Sequence, residues 1–78
     1  MKQIHIKKTD REEENTNVTG AVSTYDSKVT AVINGCMYNA KSIMNAGIIE
    51  RADNIEFIIE GTDEAKVASL IKKIYLKG

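Results

Sequence analysis

Seventy-eight residues allow one domain with a single modest core, and an apolar content of 42% is that of a globular chain rather than a disordered one. Eleven basic residues against eleven acidic ones leave no net charge, so the composition favours neither direct nucleic-acid binding nor an anionic membrane surface. One cysteine, Cys36, excludes an internal disulfide, and with no Cys or His cluster around it no metal site is expected. The first eight residues hold no apolar run of signal length and no stretch is long enough to enter a bilayer, so the cytoplasm is the simplest compartment.

In chain order, residues 2–8 alternate Ile4 and Ile6 against Gln3, His5 and Lys7, the period-two pattern of a strand with one buried face. Residues 9–17 are polar and acidic, with Asp10, Glu12, Glu13 and Glu14 against Arg11, and read as a loop or frayed helix entry. Val18, Ala21, Val22 and Tyr25 recur at helical spacing. Thr19, Gly20, Ser23 and Thr24 are mediocre to poor helix formers, so this helix is expected to be short and held by packing. Lys28–Ile33 is alternating and β-branched, and it pairs with Cys36–Asn39 through Asn34-Gly35, the strongest two-residue hairpin signal.

Ser42 then stands before an apolar run (Ile43, Met44, Ile48, Ile49) that reads as a short helix over residues 42–49, with the serine hydroxyl as its N-cap. Asn45 and Gly47 weaken that helix. Residues 51–54 form a turn, and residues 55–60 give the clearest strand, with Ile55, Phe57 and Ile59 on one face. Gly61 breaks it, and Thr62 or Asp63 is expected to cap a last helix whose inner stripe is Val67, Ala68, Ile71, Ile74 and Tyr75. Lys72, Lys73 and Lys77 fall near its negative end, and Gly78 stands where a helix-ending glycine would. The order β-α-β-β-α-β-α specifies one α+β domain over residues 1–78: a four-stranded antiparallel sheet with three helices on one face and the other face solvated.

Several stretches together resemble a known family. Tyr25-Asp26-Ser27-Lys28-Val29, Asn34-Gly35, Asn39-Ala40-Lys41-Ser42-Ile43-Met44 and Gly61-Thr62-Asp63-Glu64 are similar to HPr, the small phosphocarrier of the phosphoenolpyruvate-dependent sugar phosphotransferase system. The likeness runs from about Val18 to the C-terminus and implies that family's open-faced β-sandwich. A working phosphocarrier of the family carries its histidine in a Gly-x-His-x-Arg-Pro pattern at the start of the first helix. By length that loop falls around residues 11–15, which read Arg-Glu-Glu-Glu-Asn with neither histidine nor proline. Three glutamates there would repel a phosphoryl group, by something on the order of 1 kcal/mol per close exposed pair. The segment between Ser42 and Phe57 is also shorter than the family's, which implies a truncated second helix or a tighter turn after it.

His5 is the only histidine, and its strand phase points it away from the core face, as a plain surface residue. The serine matching Ser42 in Gram-positive members is written by a dedicated ATP-dependent HPr kinase, so the resemblance implies regulatory phosphorylation at Ser42. It also implies a partner-binding patch of Lys41, Ile43, Met44 and Ile48, although the same apolar residues could equally belong to the core. The expected partners are proteins: HPr kinase, a transcriptional regulator or components of the sugar system. Without a Ser/His/Asp set, a metal cluster or a phosphate-cradling glycine loop, no enzyme and no cofactor is expected. The resulting expectation is a regulatory or interaction module unable to carry phosphate on histidine. Its alternatives are a phosphocarrier using an atypical residue and a vestigial structural domain.

Overall fold

The computed structural model describes residues 1–7 and 18–75. Strand β1 (Lys2–Lys7) is followed by helix α1 (Val18–Val22), the hairpin strands β2 (Lys28–Ile33) and β3 (Cys36–Asn39), and a 3-10 turn (Ile43–Asn45) that runs into α2 (Ala46–Arg51). Strand β4 (Asn54–Glu60) and helix α3 (Glu64–Tyr75) complete the elements of the described residues. The four strands form one sheet in the order β1-β4-β2-β3, with every neighbouring pair antiparallel. Three helices cover one face, as the sequence pattern implies, which is the open-faced β-sandwich that the resemblance implies.

The two-residue periodicity fixes which side chains enter the core. Ile4 and Ile6 of β1, Val29, Ala31 and Ile33 of β2, and Ile55, Phe57 and Ile59 of β4 are all buried. Register aligns them in rows: Ile4 faces Phe57, which faces Ala31, and Ile59 faces Val29. Helix α3 lays Val67, Ala68, Ile71 and Tyr75 onto this surface, while Ile74 is only half-buried. The Tyr75 and Phe57 rings stack with centroids 5.8 Å apart, an arrangement that contributes about 0.5–1.5 kcal/mol beyond area burial. The opposite face carries the row His5, Glu56, Val32, Met37 and is left to solvent.

Asn34 and Gly35 both adopt positive φ, 52° and 81°, the backbone a type I′ hairpin requires. Helix α1 is shorter than its apolar spacing suggests: it stops at Val22, and Tyr25 lies beyond it with its N–H donating to the Val22 carbonyl at 3.1 Å. Ser23 Oγ donates to the Gly20 carbonyl at 2.9 Å, and such local side-chain bonding favours leaving the helix. The expected helix over residues 42–49 is likewise divided, into one 3-10 turn and a six-residue α2 that runs on to Arg51.

One expected cap is not made, and a candidate for another bonds elsewhere. Ser42 has the extended backbone of an N-cap (φ −81°, ψ 123°), but its hydroxyl makes no capping hydrogen bond. The 3-10 turn instead closes through the backbone, with Asn45 N–H donating to the Ser42 carbonyl at 3.0 Å. The carboxylate of Asp63, one of the two caps expected for α3, is engaged elsewhere. It reaches the loop between α1 and β2, accepting from the backbone N–H of Asp26 and of Ser27 at 3.0 Å each, and from the Ser27 hydroxyl. Glu64 serves the helix entrance in its place, accepting from Gly61 N–H at 3.3 Å while its other oxygen pairs with the Met1 ammonium at 2.8 Å. The expectations for residues 9–17, for the histidine loop around residues 11–15 and for Lys77 and Gly78 fall outside the described residues.

Candidate functional surface

Ser42 sits on the connection between the last strand of the hairpin and α2, and Asn39 shapes that connection. Its side-chain oxygen accepts from Lys41 N–H at 2.9 Å, and its carbonyl accepts both Ser42 N–H and Asn45 Nδ2, each at 3.1 Å. Asparagine at a strand end is a known turn-former, so the residue type was a usable signal, though its several partners could not be read from sequence. With these backbone groups satisfied by Asn39, Ser42 is left half-buried, and among the described residues its hydroxyl makes no capping bond that would have to be broken to modify it.

The apolar residues after Ser42 divide sharply. Ile49 is buried, whereas Ile43 is 83% exposed, Met44 88% and Ile48 41%. The 3-10 turn buries none of its residues, so Ile43 and Met44 lie outside the core on the surface adjoining Ser42. Lys41 is placed differently from these three. It is half-buried, and its ammonium turns away to the carbonyl of Tyr25, 2.5 Å distant.

Tyr25 belongs to the loop between α1 and β2, which three contacts fasten from outside. Lys41 holds Tyr25, Asp63 holds Asp26 and Ser27, and Gly61 lies so close to Ser27 that no side chain fits between them. The Ser27 hydroxyl and then the Asp26 amide, donating to Asp63, hold its carboxyl below the ordinary aspartate range. Contact with the terminal ammonium lowers Glu64 in the same sense. Tyr25 also forms one wall of an open groove of about 400 Å³ against α3, lined by Ala65, Lys66, Ser69, Leu70 and Lys73.

His5 is exposed on the uncovered sheet face opposite Glu56, on the far side of the sheet from the helices. Cys36 is exposed at the first position of β3. Among the described residues no three His, Cys, Asp or Glu side chains gather as metal ligands, and no helix is long and apolar enough to cross a membrane.

No protein-family model matches the chain, and no curated protein matches it in sequence. Solved structures do match. HPr-C-His from Thermoanaerobacter tengcongensis is similar over 95% of this chain and 91% of its own, with a TM-score of 0.75 at 21% identity. The histidine-containing phosphocarrier protein of Mycoplasma is similar over 99% of this chain and 100% of its own, with a TM-score of 0.66 at 18% identity. At such identities the likeness is one of architecture, and the fold of this chain is that of HPr.

Proposed function

We propose that this chain is a non-catalytic regulatory module built on the HPr fold, written at Ser42 and read by a protein partner through Ile43, Met44 and Ile48, instead of a carrier of phosphate on histidine. The observation that carries this reading is the segregation of the two candidate residues. His5, the only histidine in the sequence, stands on the bare sheet face, whereas Ser42 borders an apolar surface on the helical side. A phosphohistidine at His5 would share no surface with Ile43 and Met44. A phosphoserine at residue 42 would stand beside them, adding about −1.5 to −2 charges to the rim of an apolar patch.

In the reaction, HPr kinase transfers the γ-phosphoryl group of ATP to Ser42 Oγ. ADP leaves, and the hydroxyl proton passes to a base of the kinase. Among the described residues no capping bond of the Ser42 hydroxyl must first be broken. Partners of the expected kind are the kinase itself, a transcriptional regulator or sugar-system components.

Two labelling reactions test the proposal. Incubation with phosphoenolpyruvate and the first enzyme of the sugar phosphotransferase system should leave the chain unlabelled, and acid-labile phosphate on His5 would refute it. Incubation with HPr kinase and ATP should add one acid-stable phosphate that Ser42→Ala abolishes. Absence of that label would remove the serine switch.

A further inference from the structure

We propose that Lys41 couples the modification state of Ser42 to the groove between Tyr25 and α3, so that one phosphate changes two separate surfaces. The inference rests on the reading of Ser42 as a phosphorylated residue, and it begins from the place of the Lys41 ammonium. The sequence expectation set this lysine in the patch with Ile43 and Met44. Its Nζ is instead committed to the Tyr25 carbonyl at 2.5 Å, in a half-buried position sixteen residues back along the chain. Among the described residues no carboxylate pairs with it. The ammonium is therefore bonded to a neutral acceptor and to no anionic group.

A phosphoserine at position 42 presents a dianion with three acceptor oxygens to the next residue in the chain. The short turn and the six-residue α2 that follow supply little helix dipole, so the counter-charge must come from a side chain. Lys41 is the adjacent cation, and a phosphate offers it an ion pair as well as a hydrogen bond, whereas the Tyr25 carbonyl is a neutral acceptor. The lysine stem is long enough to swing between the two. Phosphorylation thus draws Nζ from Tyr25 to the phosphate.

The effect on the loop is bounded by its other fastenings. Asp26 and Ser27 stay bound to Asp63, and Gly61 stays packed against Ser27, so the freed carbonyl is that of Tyr25 alone. Tyr25 is also the groove wall, facing Lys66, Leu70 and Lys73, and the charged groups that line the groove are both cationic. A change at Ser42 is in this way delivered to a positively charged surface on α3, apart from the Ile43/Met44 patch.

The chain is short enough to make by chemical synthesis with phosphoserine at position 42, which bypasses the kinase, and the two forms can be compared by NMR. We expect the Tyr25 ring and the Leu70 and Lys73 amides to shift on phosphorylation. In Lys41→Met, the unphosphorylated chain should already show the Tyr25 displacement, and phosphorylation should add none there. Lys41→Arg, which keeps a donor, should retain the response. Shifts confined to residues 39–46, or a Tyr25 shift on phosphorylation that is the same in Lys41→Met as in the parent, would overturn the coupling. A synthetic phosphoprotein that responds at Tyr25 although the kinase leaves the native chain unlabelled would refute the modification reading alone and support the coupling.

Discussion

Gly61→Ala should be one of the most damaging single-methyl substitutions available in this chain. Gly61 has φ +151°, where a side chain is strained regardless of space. An added Cβ would also lie 2.5 Å from Ser27 Oγ, 2.7 Å from Ser27 Cα and 2.9 Å from Ser27 Cβ. The hydroxyl could rotate away, but the Cα belongs to a backbone pinned by Asp63. Backbone strain of about 1–3 kcal/mol and overpacking of about 1–3 kcal/mol together suggest a loss near 3 kcal/mol. A domain of this length is stable by only about 4–12 kcal/mol, and the loss should lower Tm by roughly 12–24 °C. Urea and thermal unfolding followed by far-UV circular dichroism would measure it. Gly47→Ala is the internal control: nothing lies within 4 Å of its Cβ position in α2, so the same methyl should stabilise by about 0.5–1 kcal/mol. The double variant Gly61→Ala/Ser27→Ala should cost less than the sum of the two single changes, because removing Oγ relieves the nearest contact. A Gly61→Ala protein within about 0.5 kcal/mol of the parent would refute the close packing of the two loops.

Three further outcomes follow from the hydrogen bonds described. Ser42→Ala should leave thermal stability within about 0.3 kcal/mol of the parent, because the hydroxyl makes no cap; a loss near 1 kcal/mol would show that it does. Thr19→Val should raise Tm by an amount worth about 1 kcal/mol, since among the described residues Thr19 Oγ1 is buried with no hydrogen-bond partner and valine fills the same space. Asp63 titrates below the ordinary aspartate range when folded, so its contribution is fully present above the unfolded-state pKa and is lost as pH falls through the depressed one. Asp63→Asn should therefore lower stability at pH 7 and flatten the acid limb of a Tm-against-pH profile below about pH 4, and an unchanged acid limb would count against the assignment.

Much of the fold was legible because it depends on local rules. The Asn34-Gly35 turn, the alternation in β1, β2 and β4 and the stripe along α3 each follow from two-residue or 3.6-residue periods, and each is found where the pattern placed it. The fastenings around the candidate surface were not legible. Lys41 meets Tyr25 across sixteen residues, and Asp63 meets Asp26 and Ser27 across thirty-seven and thirty-six, separations at which no periodic pattern carries information. Asp63 in particular satisfied every local criterion for a helix cap, and was instead claimed by two amides and a hydroxyl on another loop, a tertiary arrangement that outweighs local preference. The exposure of Ile43 and Met44 was left open between core and surface by sequence, because a helix of this length has too few turns to define a face.

The sheet order has a consequence for how the chain assembles. In the sheet, β1 pairs with β4, Lys2 lying opposite Ile59, whereas β2 and β3 are joined by a two-residue turn. Closing the hairpin fixes only a few residues, while seating the first strand requires nearly the whole chain to be looped back, a slower and more entropically demanding step. During synthesis β1 must wait, its Ile4 and Ile6 unsheltered, until residues 54–60 have emerged, so a strand made early is among the last to find its place.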